Sequence, residues 1–283
     1  MAKPDPVFDY SRLALRQDRA ARIALPGADF LIERAAAEIC DRLAVTNRKF
    51  LRALDAFTPT PLLAARIGET LPGIVVDRLS GRNRRDDLDL AQERYDLVFS
   101  AFGLHWCNDL PGAMTQIRRA LKPDGLFMAA LPAEGALGEL RTAMIAAETG
   151  LTGGAAMRVD PLIEVRQAGA LLQRAGFALP VCDLERLTLR YANAAALVAD
   201  LRAMGATSAM AGALPRLPKA MPARVEEEYR AAFAQGDGKI PASFNIVYLT
   251  GWSPHESQQK PLEPGSARRR LSDFLTPREK RDP

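Results

Sequence analysis

The sequence predicts an α/β fold in which a mainly parallel sheet carries helices on both faces. Short apolar runs such as YDLVFSA (95–101) and LFMAALP (126–132) alternate with amphipathic segments such as LPGAMTQIRRALK (110–122). Apolar runs of this length predict buried strands, and the segments between them are long enough for crossover helices. At 283 residues, the chain can hold one large domain with appendages.

Composition excludes several classes of protein. With 48% hydrophobic and 25% charged residues, the chain resembles ordinary globular proteins, so we do not expect a disordered chain. The net charge of +4 is modest, and part of it comes from two local clusters, Arg78–Arg85 and Arg268–Arg270. The charge therefore gives no indication of nucleic-acid binding.

Targeting and cysteine patterns favour a cytoplasmic protein without a membrane span. The first residues, MAKPDPVFDYSRL, lack the apolar core of a secretion signal. No run approaches the roughly 20 apolar residues that a membrane helix requires. The three cysteines, Cys40, Cys107 and Cys182, contain no C-x-x-C pair, which disfavours both a zinc site and a disulfide framework. With only two histidines in the chain, we expect no metal site.

The first half of the chain predicts a helical segment followed by strand-helix units. Residues 1–48 are assigned to the helical segment, because FLIERAAAEICDRL (30–43) places its apolar residues at helical spacing. LRALDAF (51–57) predicts the first strand, and PLLAARI (61–67) predicts the helix after it, with Thr60 as a suitable N-cap. GIVVD at 73 to 77 is the next plausible strand.

The second half predicts a continuation of the same core, interrupted by helical insertions. The core is assigned to residues 49–132 and 168–255, and it ends in the strand SFNIVYLTGW. Helical lid insertions are assigned to 133–167 and 192–237. Residues 256–283 form a carboxyl-terminal extension with a basic, proline-rich tail that we expect to lack fixed structure.

Several motifs in the same order carry a resemblance to a known family. They are LHWCNDLPGAM (104–114), GELRTAM (138–144), AGALLQRAGF (168–177), ADLRAMG (199–205) and GKIPASFNIVYLTGWSPHESQQKPLEPGSA (238–267). The chain from about Phe8 to Ala267 resembles the class I S-adenosylmethionine-dependent methyltransferases. Within that superfamily it is similar to the branch of the mitochondrial complex I assembly factor 5 and its bacterial relatives.

This resemblance implies a fold, a cofactor and a partner. The implied fold is a Rossmann-like class I methyltransferase sheet of seven strands, with S-adenosylmethionine across the carboxyl ends of its first strands. The mitochondrial relative modifies an arginine of a complex I core subunit during assembly, by hydroxylation. The resemblance therefore implies a protein partner among complex I subunits, and a cytoplasmic protein that becomes peripheral at the membrane through that partner.

The cofactor loop departs from the family pattern. The first strand of such proteins runs into a D-x-G-x-G-x-G loop, where glycines allow close approach of the cofactor. Here LDAFTPTP keeps Asp55, while Phe57, Pro59 and Pro61 stand at the glycine positions. Lost donors, strain and a phenyl ring together cost about 3–6 kcal/mol, or roughly two to four decades of affinity. The loop predicts weak or absent cofactor binding.

The neighbouring β-α unit is shortened. Only residues 78–94 separate GIVVD from YDLVFSA, which is too short for the helix and strand that the family places there. Asp77 at the end of GIVVD has two interpretations. It is either the remnant of the acid that holds the cofactor ribose or a residue of the third strand.

Four residues are candidates for cofactor binding by position: Asp55, Asp77, Ser100 and His105. His105 follows the fourth strand of the family pattern, and a histidine at a strand end can act as a base near neutral pH. Alternatively, the LHW turn at 104 to 106 packs the next helix against the sheet, with Trp106 as a buried anchor.

A second group is expected to bind a partner or substrate, by analogy with the family: Arg141, His255, Glu256 and Gln258. Arg141 has an alternative role in a helix-surface ion pair.

Three further features have structural interpretations. The arginine-rich loop 78–85 is expected to be a solvated face or a contact patch, Asn108 and Asp109 suit helix caps, and Cys107 suits a packed thiol.

Two functional hypotheses follow. In the first, the chain keeps the fold, does not catalyse S-adenosylmethionine chemistry, and binds complex I or an assembly intermediate. In the second, it is an active S-adenosylmethionine-dependent methyltransferase or a protein-arginine hydroxylase with a rebuilt cofactor loop. The fold alone does not decide between these hypotheses.

Overall fold

Six strands form one sheet in the computed structural model, which describes residues 5–79, 81 and 84–259. The strands are β1 (Arg52–Ala56), β2 (Val75–Leu79), β3 (Tyr95–Ala101), β4 (Leu121–Pro132), β5 (Ala178–Tyr191) and β6 (Ile240–Trp252). Their order across the sheet is β2-β1-β3-β4-β6-β5. Neighbouring strands from β2 to β4 are parallel, whereas β6 is antiparallel to both β4 and β5. The predicted α/β fold is confirmed, with six strands among the described residues instead of the seven that the resemblance implies.

Eight α-helices accompany the sheet in the described part of the chain. They are α1 (Tyr10–Ile23), α2 (Phe30–Ala44), α3 (Leu62–Thr70), α4 (Leu110–Ala120), α5 (Gly138–Thr152), α6 (Val165–Arg174), α7 (Ala194–Ala203) and α8 (Met221–Phe233).

The predicted cap at Asp109 is confirmed, because its carboxylate accepts the Gly112 N–H at 2.8 Å. The expected caps at Asn108 and Thr60 are wrong. The Asn108 side chain instead accepts the Phe8 N–H, and α3 begins after Pro61 without a side-chain cap.

Helices pack on both faces of the sheet because strand side chains alternate between the faces. In β3, Val98 belongs to the cluster that α4 and α6 cover, whereas Leu97 and Phe99 belong to the cluster that α2 and α3 cover. Buried residues such as Met114 on α4 and Ile39 on α2 complete the two layers. The predicted helices on both faces are therefore confirmed.

Three further helices form a separate apolar cluster over one end of the β5-β6 hairpin. We call α5, α7 and α8 the lid helices. Their buried side chains pack on the beginning of β6, where Tyr229 donates a hydrogen bond from its hydroxyl to the Pro241 carbonyl at 2.8 Å. β6 enters the sheet at the edge where the parallel strands end, so the lid helices lie near that carboxyl edge. The boundaries predicted for the two insertions, 133–167 and 192–237, stay predictions.

The shortened β-α unit lies at one edge of the sheet. β2 pairs directly with β1, with Asp77 opposite Leu54. The described residues between β2 and β3 contain no α-helix and no strand. Asp77 therefore lies within the strand next to β1 and not on a third strand, and its interpretation as the remnant of the ribose-binding acid stays a prediction.

Two predictions concern membranes and the tail. No helix within the described ranges has both the length and the apolar character that crossing a bilayer requires. The predicted basic tail lies almost entirely outside the described residues, which end at 259.

Candidate functional site

Ligands of open α/β sheets bind beyond the carboxyl ends of the strands, at the point where the strand order reverses. Here the chain passes from β1 through α3 to β2 on one side, while β3 flanks β1 on the other side. The reversal therefore lies between β1 and β3. We call the space beyond these two strand ends the strand-end crevice.

Phe57 closes the strand-end crevice with its backbone and its ring. Its φ of 68° lies in the left-handed region that favours glycine, so the loop keeps the backbone conformation of a glycine position while carrying a phenyl ring. The side chain is only 2% exposed. A Cβ at Gly103, after β3, would lie 2.3 Å from the Phe57 carbonyl oxygen, so the two loops are in direct contact. The contact closes the space between the Phe57 and Gly103 backbones, whereas Pro59 and Phe102 beside it line a cavity that is described below.

Arg84 fills the remaining space beside the Phe57 ring. Its guanidinium carbon lies 4.1 Å from the ring centroid, and its Nη1 lies 3.3 Å from the Cys107 sulfur. The residue is 6% exposed, and its Nε and Nη2 have no hydrogen-bond partner among the described residues. The expectation that the 78–85 loop is a solvated face is therefore wrong for Arg84. A cation–π contact with a desolvated ring stabilises a guanidinium in this position.

Asp55 and Arg78 hold the loop that follows β1. The Asp55 carboxylate is fully buried and accepts hydrogen bonds from Arg78 Nε at 2.8 Å and from the Thr58 N–H at 3.1 Å. Arg78 also donates to the carbonyls of Thr58 and Thr60. Burial raises the pKa of Asp55 despite the opposing contacts of Thr58 and Arg78. The carboxylate that the family pattern assigns to the cofactor is thus engaged within the protein.

Asp77 lies on the second strand, but its carboxylate is engaged at the opposite end of the sheet. It accepts hydrogen bonds from Arg52 at 2.8 Å and from the Tyr95 hydroxyl at 3.1 Å, and it lies 3.4 Å from Arg94. Partial burial would raise its pKa, but the hydrogen bonds from Arg52 and Tyr95 lower the pKa of Asp77 below its usual value. These partners belong to the amino-terminal ends of β1 and β3. Asp77 is therefore not presented to the strand-end crevice.

Ser100 is also engaged within the sheet. Its hydroxyl donates to the Ala56 carbonyl at 2.7 Å, and the side chain is fully buried. Nearby, the Thr58 hydroxyl accepts the Ala101 N–H at 3.1 Å, which joins the two strand ends. The residues at this position do not fit S-adenosylmethionine, because the Phe57 ring and Arg84 fill the strand-end crevice and the side chains of Asp55, Thr58 and Ser100 are engaged within the protein.

His105 lies at the end of β3, in a short 3₁₀ turn (Leu104–Trp106). Its ring packs 3.9 Å from the Trp106 ring, and its Nδ1 has no hydrogen-bond partner in the described residues. Burial, together with the positive charge of Arg84, lowers the pKa of His105 to about 3. An imidazole with this pKa is a weak base at neutral pH. The geometry supports the packing role of the LHW turn, with Trp106 as its buried anchor.

Replacing His105 is expected to remove a pH dependence of stability. The folded chain keeps His105 neutral, whereas the unfolded chain takes up a proton below its ordinary pKa of about 6.5. Stability is therefore complete above pH 6.5 and falls as the pH is lowered towards 3. Between pH 7 and pH 4.5 the wild-type chain should lose about 2 kcal/mol more than H105Q, measured by urea unfolding at both values. Equal losses in the two proteins would contradict this origin of the pH dependence.

A cavity of about 470 Å³ lies beyond the ends of β1, β3 and β4, where Pro59, Phe102 and Pro132 line it, and under the lid helices. His105 and Trp106 line it, together with Asp160 from the loop before α6. The Trp106 indole N–H donates to the Asp160 carboxylate at 3.0 Å. Arg141, on α5, reaches the Asp160 carbonyl at 3.4 Å. Of the residues predicted to bind a partner or substrate, Arg141 is thus beside the cavity.

The other three residues predicted to bind a partner lie at the opposite edge of the sheet. β6 is antiparallel and ends at Trp252, opposite Leu126 in β4. Beyond it, Gln258 donates to the Asp124 carboxylate at 3.0 Å, and the His255 ring contacts the Ser257 hydroxyl. From 126 to 132, β4 separates the two edges by roughly 20 Å. His255, Glu256 and Gln258 therefore do not share a site with His105, and their binding role stays a prediction.

Sequence reasoning missed several residues of the site. Four arginines line the cavity, and they and the buried Asp160 belong to helices and loops far apart in the chain: Arg16, Arg19, Arg158 and Arg202. Arg16 and Arg19 have the spacing of one helical face, but this spacing does not indicate what the face contacts. Arg84 lies in a charged run, which predicts exposure.

Comparisons with known proteins identify relatives along most of the chain. A model of the methyltransferase domain matches residues 76–129. Arginine-hydroxylase NDUFAF5 of Danio rerio is 32% identical over 95% of this chain and 89% of its own length, and the human protein is 32% identical over 92% and 81%. The malonyl-[acyl-carrier protein] O-methyltransferase of Laribacter hongkongensis is 31% identical over 91% of this chain and 94% of its own.

A solved structure gives the same fold. A methyltransferase candidate from Bacillus halodurans superposes with a TM-score of 0.52 at 12% identity, over 78% of this chain and 99% of its own. At this identity, the similarity establishes the architecture and says nothing about activity.

Proposed function

Because the chain belongs to the family of arginine-hydroxylase NDUFAF5, we propose that it acts in complex I assembly as a methyltransferase-fold protein that does not use S-adenosylmethionine. In this role it binds complex I or an assembly intermediate. It is a cytoplasmic protein that becomes peripheral at the membrane through this partner.

The filled strand-end crevice carries the proposal. To admit a cofactor, the chain would have to expose the buried Phe57 ring and remove Arg84 from its contact with that ring. Exposing a buried phenylalanine costs about 2–3 kcal/mol, and the lost cation–π contact adds about 1–2 kcal/mol. A total of about 4 kcal/mol weakens binding roughly a thousandfold. A micromolar cofactor site would become a millimolar one.

Affinity purification of the tagged, full-length chain from cells that express it tests the partner. We expect complex I subunits to be recovered under mild conditions, in equal amounts with and without millimolar S-adenosylhomocysteine. Recovery should be equal because, in the proposed role, binding of the partner does not require a ligand in the strand-end crevice. Recovery of no respiratory-chain subunit would contradict the proposed role.

The alternative is an enzyme with a rebuilt cofactor loop, and the names of the relatives motivate it. A hydroxylase would add one oxygen atom to an arginine of the partner, and a methyltransferase would add one methyl group. Mass spectrometry of the partner from cells with and without this chain distinguishes the hypotheses. A modification that disappears with the chain would support the enzyme, whereas an unchanged partner would support the binding role.

A further inference from the structure

A second, open pocket of about 520 Å³ lies between the amino-terminal segment and the loop that carries Arg84. Phe8, Tyr10, Asn108 and residues 84–86 line it, and it shares no lining residue with the cavity under the lid helices. We propose that this pocket, which we call the Arg84 pocket, binds a carboxylate group through the two free N–H groups of the Arg84 guanidinium. The proposal goes beyond the role in complex I assembly and does not require that role to hold.

Arg84 is a buried cation without a counter-charge in the described part of the chain. The residue is 6% exposed, and burial lowers its pKa. The groups that act on its charge are the Cys107 thiol and the Tyr10 hydroxyl. Burial raises the pKa of both groups, so both are neutral at pH 7. Because buried ions are usually paired, the missing counter-charge indicates a ligand that carries negative charge.

The free edge of the Arg84 guanidinium has the geometry that a carboxylate requires. Its Nη1 lies 3.3 Å from the Cys107 sulfur, and its planar face covers the Phe57 ring. Within the described ranges, Nε and Nη2 have no hydrogen-bond partner. These two nitrogens form one edge of the planar group, and their N–H bonds point in the same direction. They therefore match the two oxygens of a carboxylate, which can accept both hydrogen bonds at once.

Two carboxylates also line the Arg84 pocket, but both are engaged with other groups. Asp9 caps α1 by accepting the Arg12 N–H at 3.0 Å, and it lies 3.8 Å from the Arg12 guanidinium. Asp86 accepts a hydrogen bond from the Tyr10 hydroxyl at 2.6 Å. Their negative charge disfavours a ligand with two charges, such as phosphate at neutral pH. A ligand with one negative charge, such as a carboxylate, is repelled less.

Hydrogen bonds hold the walls of the Arg84 pocket in place before a ligand arrives. The Asn108 side chain accepts the Phe8 N–H at 2.8 Å and donates to the Phe8 carbonyl at 3.1 Å. The Asn108 N–H also donates to the Tyr10 hydroxyl at 2.9 Å. Because these walls are already ordered, a ligand that enters the pocket does not bear the entropic cost of ordering them.

Thermal unfolding of the full-length wild type, R84M and R84K tests the proposal. R84M can still cover the Phe57 ring but has no charge, whereas R84K keeps the charge but has no planar pair of N–H groups. At pH 7, the wild type should melt at least about 2 °C higher in ~100 mM sodium acetate than in sodium chloride of equal ionic strength. Each variant should shift by less than about 0.5 °C.

Equal shifts in the wild type and both variants would show a general effect of acetate on stability, and they would overturn the proposal. Circular dichroism checks that the variants are folded, and R84K alone is sufficient if R84M is not. R85A is the matched control, because it removes the exposed neighbouring arginine. It should keep the full acetate shift. If R85A loses the shift as completely as R84M, the effect arises from surface charge and the assignment to Arg84 is wrong.

Two further probes identify the chemistry and the source of the ligand. Inorganic phosphate should stabilise the wild type less than acetate does, and a larger shift with phosphate would overturn the assignment to a carboxylate. N-acetylglutamate amide presents its carboxylate as a protein side chain does. A larger shift with this compound than with acetate would support a side chain of a protein partner, and a smaller shift would support a free acid. No shift with either compound would overturn the proposal.

Discussion

Replacing Arg158 by alanine is expected to lower the free energy of unfolding by about 3 kcal/mol, which is within the range for a broken buried ion pair. Arg158 and Glu148 form two hydrogen bonds, at 3.0 and 2.5 Å, and both side chains are less than 10% exposed. Without Arg158, the carboxylate keeps only the Ala156 N–H, at 3.1 Å. The remaining charge is then buried with a single donor, and the loop before α6 loses one of its attachments to α5.

Urea unfolding of three proteins measures this effect. The double variant R158M/E148M removes both charges and should recover most of the loss, because no unpaired carboxylate remains. R166A, which changes an exposed arginine of α6, should differ from the wild type by less than about 0.5 kcal/mol. If R158A is as stable as R166A, the pair does not fix this wall of the cavity.

Replacing Trp106 by alanine should destabilise the fold by about 3–5 kcal/mol, as expected for a large aromatic side chain removed from a buried position. The indole is 3% exposed, packs against His105 and donates its N–H to Asp160. W106F keeps most of the ring but leaves the Asp160 carboxylate without this donor, so it should cost about 1–3 kcal/mol.

Thermal and urea unfolding of W106A and W106F separate packing from hydrogen bonding. The two variants should differ by at least about 1 kcal/mol, because only W106A loses most of the buried aromatic surface. Equal stability of W106F and the wild type would show that the contact with Asp160 contributes nothing, and the LHW turn would then act by packing alone.

The regular elements could be predicted because their signals are local. YDLVFSA coincides with β3, and FLIERAAAEICDRL coincides with α2 to within one residue. In each segment, the spacing of the apolar residues indicates which face of the helix or strand is buried. The last strand is longer than predicted, because β6 begins at Ile240, three residues before the segment SFNIVYLTGW.

The burial of Arg84 could not be predicted from its neighbours in sequence. It lies in a run of arginines, which predicts a solvated loop, whereas its partners are Phe57, 27 residues earlier, and Cys107, 23 residues later. The substitution at Phe57 was visible in the sequence as a lost glycine. The contact between this ring and the Arg84 guanidinium depends on the path of the loop between β2 and β3, and the sequence does not predict that path.

The candidate site was predicted only in part for a related reason. Asp55 and His105 lie at the expected edge of the sheet, but their surroundings come from distant segments. The direction of β6 places His255 at the other edge, because an antiparallel strand carries the residues that follow it away from the carboxyl ends. Similarity to a family can single out residues such as His105 and His255, but it does not show whether they lie close together in the fold.

The carboxyl edge of the sheet is filled at one position and open at the next. At the loop after β1, the positive φ of Phe57 preserves the backbone conformation of a glycine while the ring occupies the crevice. At the next position along the edge, the cavity under the lid helices remains open. We therefore expect the functional contacts of this chain to involve the cavity and surfaces outside the crevice.

Titration of the full-length chain with S-adenosylmethionine and S-adenosylhomocysteine tests the central claim most directly. With an active malonyl-[acyl-carrier protein] O-methyltransferase as a positive control under the same conditions, we expect no binding heat and no thermal stabilisation up to about millimolar concentrations. A micromolar Kd would contradict it, since ligand at about 100 times that Kd would stabilise the fold by about 2.7 kcal/mol and show that the crevice opens.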